Sequence, residues 1–152
     1  MRAVIVFFIL SVGGWGQAQS WDQEQKALWR IVEQSWVDDA NETGKWPSAY
    51  VHEKVVAWDA SFPVPRGKDS LEKWNRFDDA TSQILEYELF PLAIVVEGET
   101  GVVHYSAVTV TKDAEEKTER EVIGVMETLI RSDGTWKFIS TGAFPVSDSG
   151  GD

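Results

Sequence analysis

The chain has 152 residues, 43% of them hydrophobic and 26% charged, which fits one globular domain with a single sizeable core. A formal charge of −11 argues against nucleic acid, which is bound through clustered Lys and Arg, and against docking on anionic lipid. The absence of cysteine excludes disulfides, thiolate catalysis and cysteine metal sites, so the core alone must hold the fold.

Residues 1–18 read as a secretory leader. Arg2 supplies the positive start, Ala3 to Val12 the apolar run, and Gly16 and Ala18 the small residues of a cleavage site. Cleavage is expected after Ala18 or after Ser20. The apolar run is about half of the roughly 20 residues a spanning helix needs, so no stable membrane anchor is expected. The product would be exported, periplasmic or extracellular, with a single domain over residues 19–146 and a frayed tail over 147–152.

From Trp21 to about Ala40 the pattern is helical. Trp21, Trp29 and Trp36 fall on one face, widened by Leu28, Ile31 and Val32. Ser20 with Gln23 is the expected capping box. Gly44 ends the helix, and residues 46–50 suit a short turn. Val55 to Phe62 reads as a strand stopped by Pro63 and Pro65. Asp69 is the expected cap of a helix of about ten residues, with Leu71, Trp74 and Phe77 as its inward edge. Four strands follow: Gln83 to Glu97, bent at Pro91; Val102 to Lys112; Glu119 to Arg131; and Thr135 to Thr141. Ser132-Asp133-Gly134 is a tight hairpin signal between the last two. Consecutive hairpins give an antiparallel meander, and helices segregated to one face of it make an α+β domain. A strongly curved sheet wrapped around the helices leaves a conical pocket.

The Trp-rich first helix, His-Glu-Lys-Val-Val-Ala-Trp-Asp at 52–59, Gly-Lys-Asp-Ser-Leu-Glu-Lys-Trp at 67–74 and Glu-Thr-Leu-Ile-Arg-Ser-Asp-Gly-Thr-Trp-Lys-Phe-Ile at 127–139 carry a resemblance. Together they resemble the nuclear transport factor 2-like superfamily, in its SnoaL-like, calcium/calmodulin-dependent kinase association-domain-like branch. The resemblance implies a cone-shaped α+β fold and a homodimer formed through the outer sheet face. It spans isomerases, dehydratases, hydrolases and non-catalytic binding domains, so it leaves function open.

The candidate catalytic residues are His52, Asp59 and His104. His52 is either a pocket-mouth acid or base or a loop histidine bonded to backbone. Asp59, beside Trp58, is either a carboxyl of raised pKa or a solvated strand end. His104 and Tyr105 alternate on a strand, so one of them faces the cone. Tyr50, Trp58, Trp74 and Tyr105 are the expected ligand-binding walls. Arg66 and Lys68, just ahead of a helix start, could attract an anion. Asp38-Asp39 and Asp78-Asp79 read as solvated helix-end acids. No metal or cofactor is expected: two histidines without cysteine make no zinc motif, and neither a phosphate loop nor a nucleophile elbow is present. The expected function is binding of a small, partly apolar molecule in the cone. The alternatives are a cofactor-independent proton-transfer enzyme and a dimerisation module.

Overall fold

The computed structural model describes residues 20–146; the leader and the tail lie outside the described residues. Helix α1 spans Gln23–Ala40. Its capping box is Asp22 with Gln25, two residues beyond the expected Ser20 pair. The Asp22 carboxylate accepts from the Gln25 amide at 2.8 Å, and the Gln25 side chain accepts from the Asp22 amide at 2.8 Å. A carboxylate also suits the positive end of the helix dipole better than a serine hydroxyl does. Leu28, Val32, Ser35 and Asp38 form the buried face of α1. Gln25 Nε2 donates to the Ile94 carbonyl at 2.7 Å and ties the helix to the sheet.

Strand β1 is Val51–Asp59, which shifts the expected strand toward the N-terminus and takes in His52. Its early start has a distant cause: β1 runs parallel to the last strand, with Val51 opposite Phe138. Its end at Asp59 is local. The Asp59 carbonyl and carboxylate accept from the amides of Phe62 at 3.3 Å and Ser61 at 2.9 Å. The chain then doubles back, and Arg66 and Ala57 exchange both backbone hydrogen bonds, at 2.8 and 2.9 Å.

Helix α2 spans Lys68–Thr81, longer than expected, and starts from Gly67 without a side-chain cap. Asp69 sits in the first turn instead, where its charge still favours the dipole. The expected inward edge does not form. No residue of α2 is buried; Trp74 and Phe77 are 42% and 53% exposed, and only Leu71 packs against the core. The Trp74 ring meets Phe62 edge-on at 4.9 Å rather than entering the sheet.

The remaining strands are β2 (Ser82–Glu97), β3 (Thr100–Asp113), β4 (Thr118–Ser132) and β5 (Thr135–Pro145). They form the expected meander, and the sheet order is β1-β5-β4-β3-β2. Asp133 and Gly134 take φ values of 51° and 75°, as a two-residue hairpin of the primed type requires. The register of β2 slips between Pro91 and Ala93, where proline has no amide to give the ladder. The curved sheet embraces α1. At one end Leu28, Val32, Val103, Leu129 and Phe138 pack solidly. Gly101 lies under Leu28 there, and a β-carbon on it would run into the leucine side chain. At the other end, around Trp36 and Trp46, the sheet and helices stand apart.

Candidate active site

The open end of the cone holds two adjoining cavities of about 140 and 200 Å³, both lined by Asp39, Trp46, Thr141 and Ala143. An apolar cavity of about 150 Å³ holds a benzene ring, so the inner one suits a single small ring or its equivalent. Its lining is set by strand alternation. Val125, Glu127 and Leu129 share the inner phase of β4, and Val103, Tyr105 and Ala107 that of β3. The glutamate therefore stands in an apolar row.

Three side chains form a chain there. Trp36 Nε1 donates to Tyr105 Oη at 2.8 Å, and Tyr105 Oη donates to Glu127 Oε1 at 3.2 Å. Glu127 Oε2 is buried and has no partner among the described residues. Burial pushes the Glu127 carboxyl up to about 8, with the Tyr105 hydrogen bond working the other way. Glu127 is thus a neutral acid at pH 7. Burial, reinforced by the Glu127 charge, also raises Tyr105 well above the ordinary phenol value. The Trp29 ring stands edge-on to Tyr105 at 5.6 Å and holds its plane.

Asp39 is the second acid. It projects from the last turn of α1 into both cavities. Burial and then the charges of Asp79 and Asp78 on α2 push it up to about 7. Its neighbour Asp38 behaves in the opposite way. Asp38 is buried and accepts from Tyr50 Oη, from Thr43 Oγ1 at 2.9 Å, from Lys45 Nζ at 3.2 Å and from Gln34 Nε2 at 3.4 Å. The Tyr50 bond, aided by the other three, outweighs burial and lowers Asp38 to about 2. The Asp38-Asp39 pair is therefore one structural anchor and one cavity acid, not two solvated turn residues.

The outer cavity is walled by Trp74 and Leu71 of α2 and by the Asp59–Arg66 ion pair, 2.6 Å across. The Arg66 side chain is 9% exposed, and its guanidinium lies 3.6 Å from the Phe62 ring centroid. Nε and Nη1 are buried without a hydrogen-bond partner among the described residues.

The structure brings Trp58, Asp59, Trp74 and Tyr105 of the expected site residues to these cavities and sends the others elsewhere. His52 lines neither cavity, and its Nδ1 accepts from the Lys54 amide at 3.1 Å. His104 is exposed on the outer face of the sheet, opposite Ala93 and Met126, because Tyr105 takes the inner phase. Trp58 is in the outward phase of β1 and 57% exposed, with Nε1 donating to the Phe62 carbonyl at 3.0 Å. It lines the rim of the outer cavity and also borders a third hollow of about 410 Å³, with Met126 and Phe144. Tyr50 spends its hydroxyl on Asp38, and burial and that carboxylate raise it to about 12. Glu127 and Asp39 are the acids that sequence reasoning missed. An acid in phase with Val125 and Leu129 was the available signal for the first. Among the described residues, no three His, Asp or Glu side chains converge as a metal set.

A structure of a ketosteroid isomerase-like protein from Erwinia carotovora atroseptica superposes with a TM-score of 0.74 at 13% identity, over 84% of this chain and 99% of that one. The chain has the NTF2-like fold. A putative calcium/calmodulin-dependent protein kinase II association domain from Xanthomonas campestris gives 0.67 at 11% identity, over 84% and 91% of the two chains. An NTF2-like protein of unknown function in nutrient uptake from Rhodospirillum rubrum gives 0.68 at 14%, over 79% and 98%. No family model and no curated protein matches the sequence. In the fold, the C-terminal part of α1 and α2 stand at the open end of the cone, and Glu127 and Tyr105 line its inner cavity.

Proposed function

We propose that the cone binds a small, partly apolar molecule and moves a proton on it without a cofactor. The observation that carries this reading is the pairing of two acids in one cavity. Glu127 is neutral and held by Tyr105, and Asp39 is poised near neutrality. Two carboxyls whose surroundings give them different tasks are a common basis for acid and base roles. Asp39, ionised, takes a proton from carbon beside a carbonyl group. The charge that develops on the carbonyl oxygen is met by the protonated Glu127. Asp39 then returns the proton to a second position, so the reaction is an isomerisation with no net change in atoms. Solved proteins described as ketosteroid isomerase-like or as a putative ketosteroid isomerase share the fold, which agrees with this reaction class.

The test is proton exchange. Small cyclic ketones and lactones are incubated in heavy water with the native protein, and deuterium uptake is followed by NMR. Uptake is expected, with a loss of about 100-fold or more in Asp39→Asn. Equal uptake with and without the protein would leave only the binding reading, which saturable quenching of tryptophan fluorescence then checks.

A second reading concerns assembly. Phe90, Leu92, Val95, Met126 and Phe144 are exposed, and the sheet pairing sets several of them on the face opposite α1. A contiguous apolar face of this kind favours a homodimer through the sheet. Light scattering at micromolar concentration should give twice the monomer mass, and Met126→Glu should return it to one. Export rests on the leader sequence; the secreted product should begin at residue 19 or 21.

A further inference from the structure

The hydrogen-bond chain that ends at Glu127 has a direction, and its first member sets it. An indole N–H can only donate, so Trp36 always occupies a lone pair of Tyr105 Oη. The hydroxyl proton of Tyr105 has one acceptor among the described residues, Glu127 Oε1. With Oε1 accepting, the acidic proton of Glu127 stands on Oε2, which has no partner among the described residues. We propose that Trp36 is a positioning residue that fixes the polarity of this chain, so that Glu127, in the wall of the inner cavity, keeps its acidic proton on Oε2. It rests on the acid–base reading of the cone for its consequence. A ligand group that only accepts hydrogen bonds, such as a ketone or ester oxygen, suits the inner end; an ammonium or other obligate donor does not.

The alternative polarity shows why Trp36 matters. Without the indole, Tyr105 Oη is free to accept from Glu127 Oε1–H and to turn its own proton into the cavity. Glu127 then ceases to be a free donor, and Tyr105 replaces it. The other titratable group around the inner cavity is Asp39 on α1, with Asp78 and Asp79 of α2 acting on it; β5 contributes the uncharged Thr141 and Ala143. None of these accepts from Tyr105 or Glu127, so among the described residues it is Trp36 that orders the chain.

The test titrates ligand-free protein, so its outcome does not depend on whether a ligand is found. Glutamate labelled with carbon-13 at the carboxyl is followed by NMR from pH 5 to 9 in the native protein, Trp36→Phe, Tyr105→Phe and the double variant. Trp36→Phe should raise the Glu127 midpoint by about half a pH unit or more, because a tyrosine no longer polarised by the indole donates less strongly. In the Tyr105→Phe background the same substitution should do nothing, since its path runs through the hydroxyl. Equal shifts in both backgrounds, or none in either, would overturn the proposal. Should Trp36→Phe fail to fold, the indole N–H resonance of Trp36 in the native protein decides. It should titrate with the Glu127 midpoint; a resonance that stays flat through that range would overturn the proposal.

Discussion

Replacing Glu127 by glutamine isolates what a buried neutral acid does to the stability of this cone. The folded carboxyl titrates at about 8 against an ordinary 4.5, because burial disfavours its charged form. Between those values the folded protein holds a proton that the unfolded chain has released. The contribution of Glu127 is therefore fully present below about pH 4.5 and is lost as pH rises through 8. At about 1.4 kcal/mol per pH unit, that interval corresponds to about 5 kcal/mol, a large share of the roughly 5–15 kcal/mol a domain of this size has. Glutamine keeps the shape and cannot ionise. At pH 5 its extra amide hydrogens lack partners, and Glu127→Gln should cost about 1 kcal/mol. At pH 8 it should be the more stable protein by about 3 kcal/mol. Urea unfolding at pH 5, 6, 7 and 8 measures both, and equal slopes against urea would show that the unfolded states match. Every other titrating group cancels in the difference. Curves that stay parallel from pH 5 to 8 would refute the assignment of Glu127 as a neutral acid.

Asp39→Asn should likewise flatten the pH dependence of stability between 3.8 and about 7, because the folded Asp39 is raised and its contribution is lost across that range; urea midpoints at pH 4 and 7 check it. Tyr50→Phe acts at the acid end with the opposite sign. The folded Asp38 is lowered to about 2, so its contribution is present above 3.8 and lost as pH falls, and removing the Tyr50 bond should raise the pH of acid unfolding, followed by circular dichroism. Gly101→Ala should destabilise by about 1–3 kcal/mol in urea melts, because the added methyl group drives Leu28 out of place in the solid end of the cone. Gly134→Ala, at φ 75°, meets no neighbour yet should cost about 1 kcal/mol through backbone strain alone.

Local chemistry made much of this fold legible. The helical period of residues 21–40, the Asp133-Gly134 turn and the bend at Pro91 each rest on residues close in sequence, and each forms as the pattern implies. The bounds of β1 do not, because its partner lies about 85 residues away and leaves no mark on residues 51–54. The site was read less well for a related reason. Histidine and tryptophan drew attention by their chemistry, but strand phase decides which side chains enter a cavity. That phase sends His104 outward, leaves Trp58 half exposed at the cavity rim, and brings Tyr105 and Glu127 inward. Glu127 was visible only as an acid among alternating apolar residues. Asp39 depends first on its burial in the assembled cone and then on the charges of Asp79 and Asp78 on α2, neither of which a local pattern encodes.

The parallel pairing of β1 with β5 also sets a timetable. The hairpins from β2 to β5 can zip as each segment becomes available, since their partners are sequence neighbours. β1 has no such neighbour and must wait for residues 138–143 before its ladder exists. Closing a loop of that length carries an entropic cost that only the finished sheet repays, so docking of β1 should be the late, slow event of folding. Until then the α1–β1 segment and the outer strand edge of β5 are both unpaired. A chain stopped short of residue 138 would assemble a meander with an open edge and no cone.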